Sequence, residues 1–204
     1  MVMVLVGAVV LGVMFTCLST TFTRWQRSKY GPLQLAANDG DVAKLVQLLR
    51  AGADVNGRCA FRDWTALHAA ADRGQAAAAQ VLIEHGAKVD LKDADGFTPL
   101  HVTGTQPSGK PQPKASEAGR NDVAVLLLNR GANANATTSH GDNALHCAVN
   151  SDNATLVRIL LERGADSAHR DDDGYTPVDL ARIRKDEAVL SAFRAFRPSS
   201  ARTQ

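Results

Sequence analysis

Three histidines carry the side chains in this sequence that could most readily do chemistry, because imidazole binds metal ions and transfers protons near neutral pH. His68, His101 and His146 are separated by 33 and 45 residues. Each occupies the same position of a repeated stretch, so the three rings should form a ladder spaced by one structural unit and should not converge on one point. We therefore predict no metal site at these histidines.

The cysteines and the acidic runs indicate no other site. Cys17, Cys59 and Cys147 are odd in number, distant in sequence and without metal-ligand spacing, which favours reduced thiols. The aspartates at 171–173 lack the spacing and terminal glutamate of a calcium loop and are typical of a solvated loop tip. The sequence contains no glycine-rich phosphate loop and no HExxH motif. We expect no catalytic residues, no cofactor, no metal and no small-molecule substrate.

The amino-acid composition indicates how the core is built and which class of partner is not expected. The 204 residues are 45% hydrophobic, 22% charged and only 5% aromatic, so alanine and leucine must supply most of a globular core. With 23 basic and 21 acidic residues, the formal net charge is +2. Such a charge creates no long-range field for polyanions, and we predict no nucleic-acid partner.

The elements that must position the histidines are short helices. Residues 66–71 place their apolar side chains on one helical face, and Gly74 ends this helix. A second helix is predicted over residues 76–84, before Gly86. Helices of this length do not persist alone, so the unit needs a copy of itself on each flank.

The unit recurs at intervals of 33, 45 and 33 residues. The recurring tetrapeptides are Thr65-Ala66-Leu67-His68, Thr98-Pro99-Leu100-His101, Asn143-Ala144-Leu145-His146 and Thr176-Pro177-Val178-Asp179. Their signature and period resemble the ankyrin repeat. The resemblance implies an all-α repeat solenoid of stacked helix-turn-helix units with β-hairpin fingers. The expected repeat domain covers residues 31–194, with repeats at 31–64, 65–97, 98–142, 143–175 and 176–194.

The resemblance also implies roles for individual residues. His68, His101 and His146 should bond the backbone of the neighbouring hairpin, which is a structural role. Fingers and first-helix faces usually form the binding surface for another protein in this family. The candidate contact residues are Arg58, Phe61, Arg62, Trp64, Asp72, Arg73, Asp95, Phe97, His140, Asp172 and Tyr175. Aromatic residues and arginine dominate interface energies. For Trp64 the alternative is that its ring packs on the first repeat.

The third repeat is interrupted by residues 103–114. Three prolines and two glycines disfavour helix there, and no large apolar residue is available for burial. We expect a mobile surface loop, after which the first helix of the repeat resumes at residues 115–119. A Pro-rich docking peptide, or a loop phosphorylated at Thr103, Thr105 or Ser108, is the functional alternative.

Residues 2–23 contain no charged side chain and are long enough to cross a hydrocarbon core as a helix. Arg24, Arg27 and Lys29 follow, and cations at this end predict a single-pass membrane protein with the repeats in the cytosol. A cleaved signal peptide, giving a secreted or periplasmic protein, and a buried helix are the alternatives. Residues 1–30 thus form a hydrophobic segment with a basic flank. Residues 195–204 should form a flexible tail.

Together these features predict a membrane-anchored, non-catalytic scaffold or adaptor whose partner is another protein. The alternative is a secreted or periplasmic ankyrin repeat protein released by signal-peptide cleavage. A regulatory subunit that relies on the catalysis of its partner would have the same sequence features as the first. None of the three classes is an enzyme.

Overall fold

The computed structural model describes residues 30–105 and 117–196, which form five consecutive helix pairs. The helices are α1 (Pro32–Asp39), α2 (Val42–Arg50), α3 (Ala66–Arg73), α4 (Ala76–Glu84), α5 (Pro99–Thr103), α6 (Glu117–Asn129), α7 (Ala144–Asn150), α8 (Ala154–Glu162), α9 (Pro177–Arg184) and α10 (Glu187–Ala195). Each first helix packs on its own second helix and on the first helix of the next repeat. The expected all-α repeat solenoid is therefore confirmed.

The tetrapeptides start the first helices because each supplies both halves of a capping box. Thr65 precedes α3, its Oγ1 lies 2.8 Å from Nδ1 of His68, and its backbone N–H donates to the same nitrogen at 3.2 Å. The same arrangement precedes α5, α7 and α9, where the side chain at the third helical position is His101, His146 and Asp179. Gly74 ends α3 at a φ of 63°, a left-handed conformation that glycine adopts without steric cost.

Leucines at equivalent positions of successive repeats form a continuous core. Leu67, Leu100 and Leu145 from the first helices are at most 1% exposed, and Leu82 and Leu127 from the second helices are fully buried. Alanines fill the spaces between the helices, so neighbouring backbones approach closely. The core therefore extends from repeat to repeat and has no single centre, as expected of a solenoid.

The connections between repeats are four fingers, at residues 59–64, 93–97, 138–142 and 171–175. In the described part of the chain they contain no β-strand, and each is a hydrogen-bonded turn. One backbone hydrogen bond joins each finger to the next. These bonds run from Ala94 N–H to Arg62 O, Ser139 N–H to Asp95 O and Asp172 N–H to His140 O, at 2.9, 3.0 and 3.1 Å. The fingers therefore share one register along the solenoid.

The third repeat corrects the expected position of the insertion. Helix α5 ends at Thr103, which is fully buried and donates its hydroxyl to Leu100 O at 2.7 Å. The next helix, α6, begins at Glu117 and continues without a break to Asn129, so it is the second helix of the repeat with extra residues at its start. Gly119, the counterpart of the helix-ending Gly74, is helical here. Residues after the insertion therefore extend the second helix and do not resume the first. Residues 106–116, on which the mobile-loop prediction rests, lie outside the described residues.

The predicted single-pass membrane location is contradicted. Across residues 30–105 and 117–196, no helix combines the length and apolar character needed to cross a bilayer. Residues 2–23, from which that location was inferred, lie outside the described residues, as do residues 197–204 of the expected tail.

Candidate protein-interaction surface

The first finger has a strained turn at its tip. Trp64 N–H donates to Phe61 O at 3.0 Å, and the two residues between them, Arg62 and Asp63, have φ values of 52° and 59°. Two consecutive positive φ angles are the pattern of a type I′ hairpin turn, which usually employs Asn-Gly. The other fingers have glycine at their left-handed tip position, namely Gly96, Gly141 and Gly174. The first finger instead presents two charged side chains there.

Arg62 links the first finger to the second. Its Nε and Nη2 atoms both donate to Oδ2 of Asp95, at 3.0 and 2.6 Å, and its guanidinium carbon lies 5.6 Å from the ring centre of Phe97. The Arg62 and Asp95 side chains remain 38% and 45% exposed. Three of the candidate contact residues are thus brought together as one charged and aromatic group, in which Phe97 is half-buried and packs against the core.

Arg58 adds a second link at the base of the same finger. Its Nη1 donates to Lys92 O at 2.8 Å and to Asp63 O at 3.2 Å. The side chain of Arg58 is 41% exposed, so it stays accessible while it holds the two fingers together. Phe61 is half-buried, between the rings of Tyr30 and Trp64 at 5.2 and 5.1 Å.

Trp64 belongs to the core and not to the contact surface. Its side chain is only 4% exposed, and its indole Nε1 donates to Oδ2 of the buried Asp93 at 2.9 Å. The ring also stacks on His68 at a centroid distance of 6.2 Å. The sequence allowed Trp64 to be either a surface contact or a packed ring. The packed ring is correct, because the turn directs the side chain towards the core.

Asp72 and Arg73 lie at the C-terminal end of α3 and not in a finger. Asp72 is 8% exposed, and desolvation raises the pKa of its carboxyl despite the nearby Arg73, Arg120 and Arg62. Arg73 donates to Asn38 Oδ1 at 2.9 Å and lies 3.3 Å from the Asp72 carboxylate. Burial removes Asp72 from the candidate contacts, and Arg73 mainly connects the first two repeats.

The remaining candidates lie on the last two fingers. His140 and Asp172 are exposed and belong to the same backbone ladder, through the bond from Asp172 N–H to His140 O. Tyr175 is 43% exposed at the base of the fourth finger. The structure therefore places these three residues at the opposite end of the finger row from Arg62.

The histidine ladder spans neighbouring repeats. Nε2 of His68 lies 3.0 Å from Phe97 O, Nε2 of His101 lies 2.9 Å from Ala136 O, and Nε2 of His146 lies 3.1 Å from Tyr175 O. A carbonyl only accepts, so each Nε2 must carry the hydrogen while Nδ1 accepts from the cap residue. Burial lowers the pKa of His68 and of His101 to about 4. The His68 and His101 rings are therefore neutral at pH 7, and all three rings bond the backbone of the next connection between repeats.

The described part of the chain contains one group of acidic residues and histidine with ligand-like spacing, and two free cysteines. Asp142, His146 and Asp171 place ligand atoms within 4.8 Å of one another. In the present structure, however, Nδ1 of His146 accepts Asn143 N–H at 3.2 Å and Nε2 lies 3.1 Å from Tyr175 O, so both ring nitrogens are already hydrogen-bonded. Cys59 and Cys147 are buried free thiols, and burial raises the pKa of Cys147, which disfavours a reactive thiolate.

The structural role of the first residue in each of the last three fingers was not predicted from the sequence. Asp93 accepts the backbone N–H groups of Asp95 and Phe97, at 2.9 and 2.8 Å, and so shapes the second finger. Thr138 and Asp171 occupy the equivalent position of the next two fingers and also accept backbone N–H groups. The signal was available as Asp or Thr four residues before the last finger residue, a pattern typical of side-chain-stabilised turns.

Comparison with known proteins agrees with this architecture. The family model for ankyrin repeats, which describes three copies, matches residues 33–103 and 114–191. A putative palmitoyltransferase, ZDHHC13, of Danio rerio is 34% identical over 74% of this chain and 22% of its own length. A mitochondrial disaggregase of Bos taurus is 33% identical over 79% of this chain and 22% of its own length. The human ankyrin repeat and SOCS box protein 3 is 31% identical over 78% of this chain and 36% of its own length.

These relatives are much longer than the region of similarity, since the chain spans between 22% and 36% of their lengths. The matched family model, by contrast, covers most of the present chain. The repeated capping boxes, the histidine ladder and the linked fingers provide the structural basis of that match. The chain belongs to the ankyrin repeat family.

Proposed function

We propose that this chain is a non-catalytic protein-interaction module that binds its partner through the exposed side of the fingers. Membership of the ankyrin repeat family implies a protein–protein interaction role. The unit proposed to act is the repeat array of residues 31–194. The proposed contacts are Arg58, Phe61, Arg62, Asp95 and Phe97 at one end of the finger row and His140, Asp172 and Tyr175 at the other.

The observation that carries this proposal is the strained first finger. A non-glycine residue in the left-handed region costs on the order of 1–2 kcal/mol, and Arg62 and Asp63 both adopt it. Glycine at this tip would remove that cost, as it does in the other three fingers. The strain places the Arg62 side chain between Asp95 and Phe97, where it remains exposed. An arginine so held in advance loses little freedom on binding, and arginine is enriched at binding hot spots.

A non-catalytic role is proposed for two reasons. The groups that could react are buried or engaged, as Cys147 and His146 illustrate. The palmitoyltransferase and the disaggregase each match over only 22% of their own length. Their activities are therefore not carried over to this chain.

The proposal is tested by comparing partner capture by the wild-type chain and the Arg62→Ala variant. Recovered partners are then purified, and their dissociation constants are measured by calorimetry. Loss of a central arginine contact should weaken binding by about 2 kcal/mol, roughly 30-fold, while the exposed ion pair contributes less than ~1 kcal/mol to folding.

Arg158→Ala is the matched control, because Arg158 is an exposed arginine on helix α8, outside the fingers. It should leave the dissociation constant unchanged. Equal losses from both variants would indicate a non-specific charge effect. Unchanged binding by a combined Arg58→Ala, Arg62→Ala and Phe97→Ala variant that still folds would place the partner site elsewhere.

A further inference from the structure

The outer face of the first repeat carries an open groove with a volume of about 460 Å³. We call it the N-terminal groove. Its apolar residues are Tyr30, Pro32, Leu35 and Ala36, and its polar residues are Asp39, Asp41 and Lys44. Helix α1 packs with its other sides on α2 and α3. The groove therefore lies where the preceding repeat would stack in the interior of a solenoid, and a terminal repeat needs some other cover there.

The charges of the groove favour a basic occupant. Asp39 is exposed, and neither its carboxylate nor that of Asp41 has an ion-pair partner among residues 30–105 and 117–196. Asp41 caps α2 by accepting Lys44 N–H at 2.9 Å. The Nζ atom of Lys44 donates to Oε1 of Gln47 at 3.0 Å, so this ammonium is engaged along α2 and not with the two carboxylates. An apolar floor with uncompensated carboxylates suits an aromatic side chain flanked by cations.

The residues that immediately precede the groove residues in the sequence have this chemistry. Residues 24–29 read Arg-Trp-Gln-Arg-Ser-Lys and join the chain directly at Tyr30, which itself lines the groove. Trp25 is five residues before Tyr30, so an extended connection lets it reach at most about 18 Å from that residue. The tether gives this segment a high effective concentration at the groove, which no separate molecule shares.

We propose that residues 24–29 cover the N-terminal groove, with the Trp25 indole on the apolar floor and Arg24 and Arg27 facing Asp39 and Asp41. The segment then does for the first repeat what a neighbouring repeat does for the others. Tryptophan suits this position because it buries a large apolar area while its N–H can remain in water. The Tyr30 ring of the groove touches the Phe61 ring of the first finger, but the two proposals are tested with different variants and different measurements, so either can fail without the other.

The test is hydrogen exchange of helix α1 in the full-length chain, measured by mass spectrometry. Trp25→Ala should accelerate exchange of the α1 amides about tenfold, because an uncovered terminal helix opens more often. Gln26→Ala is the matched control, since it changes the neighbouring residue without removing the ring. Its exchange should equal that of the wild type. Equal α1 exchange in the Trp25→Ala and Gln26→Ala variants would overturn the proposal.

A charge reversal tests the polar half of the contact in the same assay. Asp39→Lys should accelerate α1 exchange, and adding Arg27→Glu should restore most of the protection. A double variant that exchanges as fast as Asp39→Lys alone contradicts the assigned pairing. Protection of α1 that rises with protein concentration and does not depend on Trp25 would mean that a second copy occupies the groove, which also overturns the proposal.

Discussion

Acidification should destabilise the repeat array through His68 and His101. Both rings are neutral in the folded chain, because burial lowers their pKa from 6.5 to about 4. A histidine with a lowered folded pKa binds protons more readily when unfolded. Its stabilising effect is therefore complete above about pH 6.5 and is lost as the pH falls towards 4. Between pH 7.5 and pH 5 the loss is roughly 2 kcal/mol for each ring, or about 4 kcal/mol for the two.

The first repeat shows which substitution isolates this effect. Gln34 stands where later repeats have histidine, is 5% exposed, and donates its Nε2 to Gly57 O at 2.7 Å. Glutamine can thus bond the backbone of the connection to the next repeat without titrating. His68→Gln and His101→Gln should each reduce the pH-dependent loss by roughly 2 kcal/mol, whatever they cost at neutral pH. Asp72, whose raised pKa acts in the opposite direction, is common to all variants and cancels in the comparison.

The assay is urea unfolding followed by circular dichroism at pH 7.5 and pH 5, extrapolated linearly to water. His85→Gln is the control, because this histidine is exposed at the end of α4, where its Nδ1 lies 2.8 Å from Val81 O of the same helix. It should lose as much stability on acidification as the wild type. A His68→Gln, His101→Gln double variant with the full wild-type pH dependence would refute the assignment of the effect to the buried rings.

The remaining predictions concern stability at neutral pH and can be read from the same unfolding curves. Leu145→Ala should cost roughly 2–5 kcal/mol, because it empties a fully buried site between adjoining repeats; a loss below ~1 kcal/mol would contradict the packing described. Trp64→Phe should lower the free energy of unfolding by about 1–3 kcal/mol, because it removes the donor to the buried Asp93. An unchanged unfolding midpoint would show that Trp64 is a contact residue and not a core residue. Asp63→Gly should stabilise the chain by about 1 kcal/mol by relieving its positive φ, and destabilisation would show that its side chain contributes more than the strain costs.

The architecture was predictable because its determinants are local. The tetrapeptides such as Thr65-Ala66-Leu67-His68 encode a capping box within four residues, and glycines such as Gly74 encode the helix ends. Repetition of these signals fixed the period, the all-α class and the ladder position of the histidines. The finger candidates followed from the same register, although only the structure showed that Arg62, Asp95 and Phe97 meet.

Three features depended on neighbours that are distant in sequence. The insertion in the third repeat looked like an interruption of its first helix, yet Glu117 and Gly119 belong to the helix that forms the second helix of the repeat. From the sequence alone, Asp72 is predicted to be a surface charge, and Trp64 is equally consistent with a core residue and a contact residue. Their burial is set by the packing of adjoining repeats and by partners such as Asp93, 29 residues from Trp64.

The sequence by itself thus determined the repeated unit, because helix capping and helix termination act over a few residues. The tertiary structure alone decided which side chains of each unit remain accessible, because accessibility depends on the unit stacked beside it. It also showed the strain at Arg62 and Asp63, where a glycine would be expected. That strain arises because the closed turn between Phe61 and Trp64 and the bond from Ala94 to Arg62 together hold the tip in a left-handed conformation.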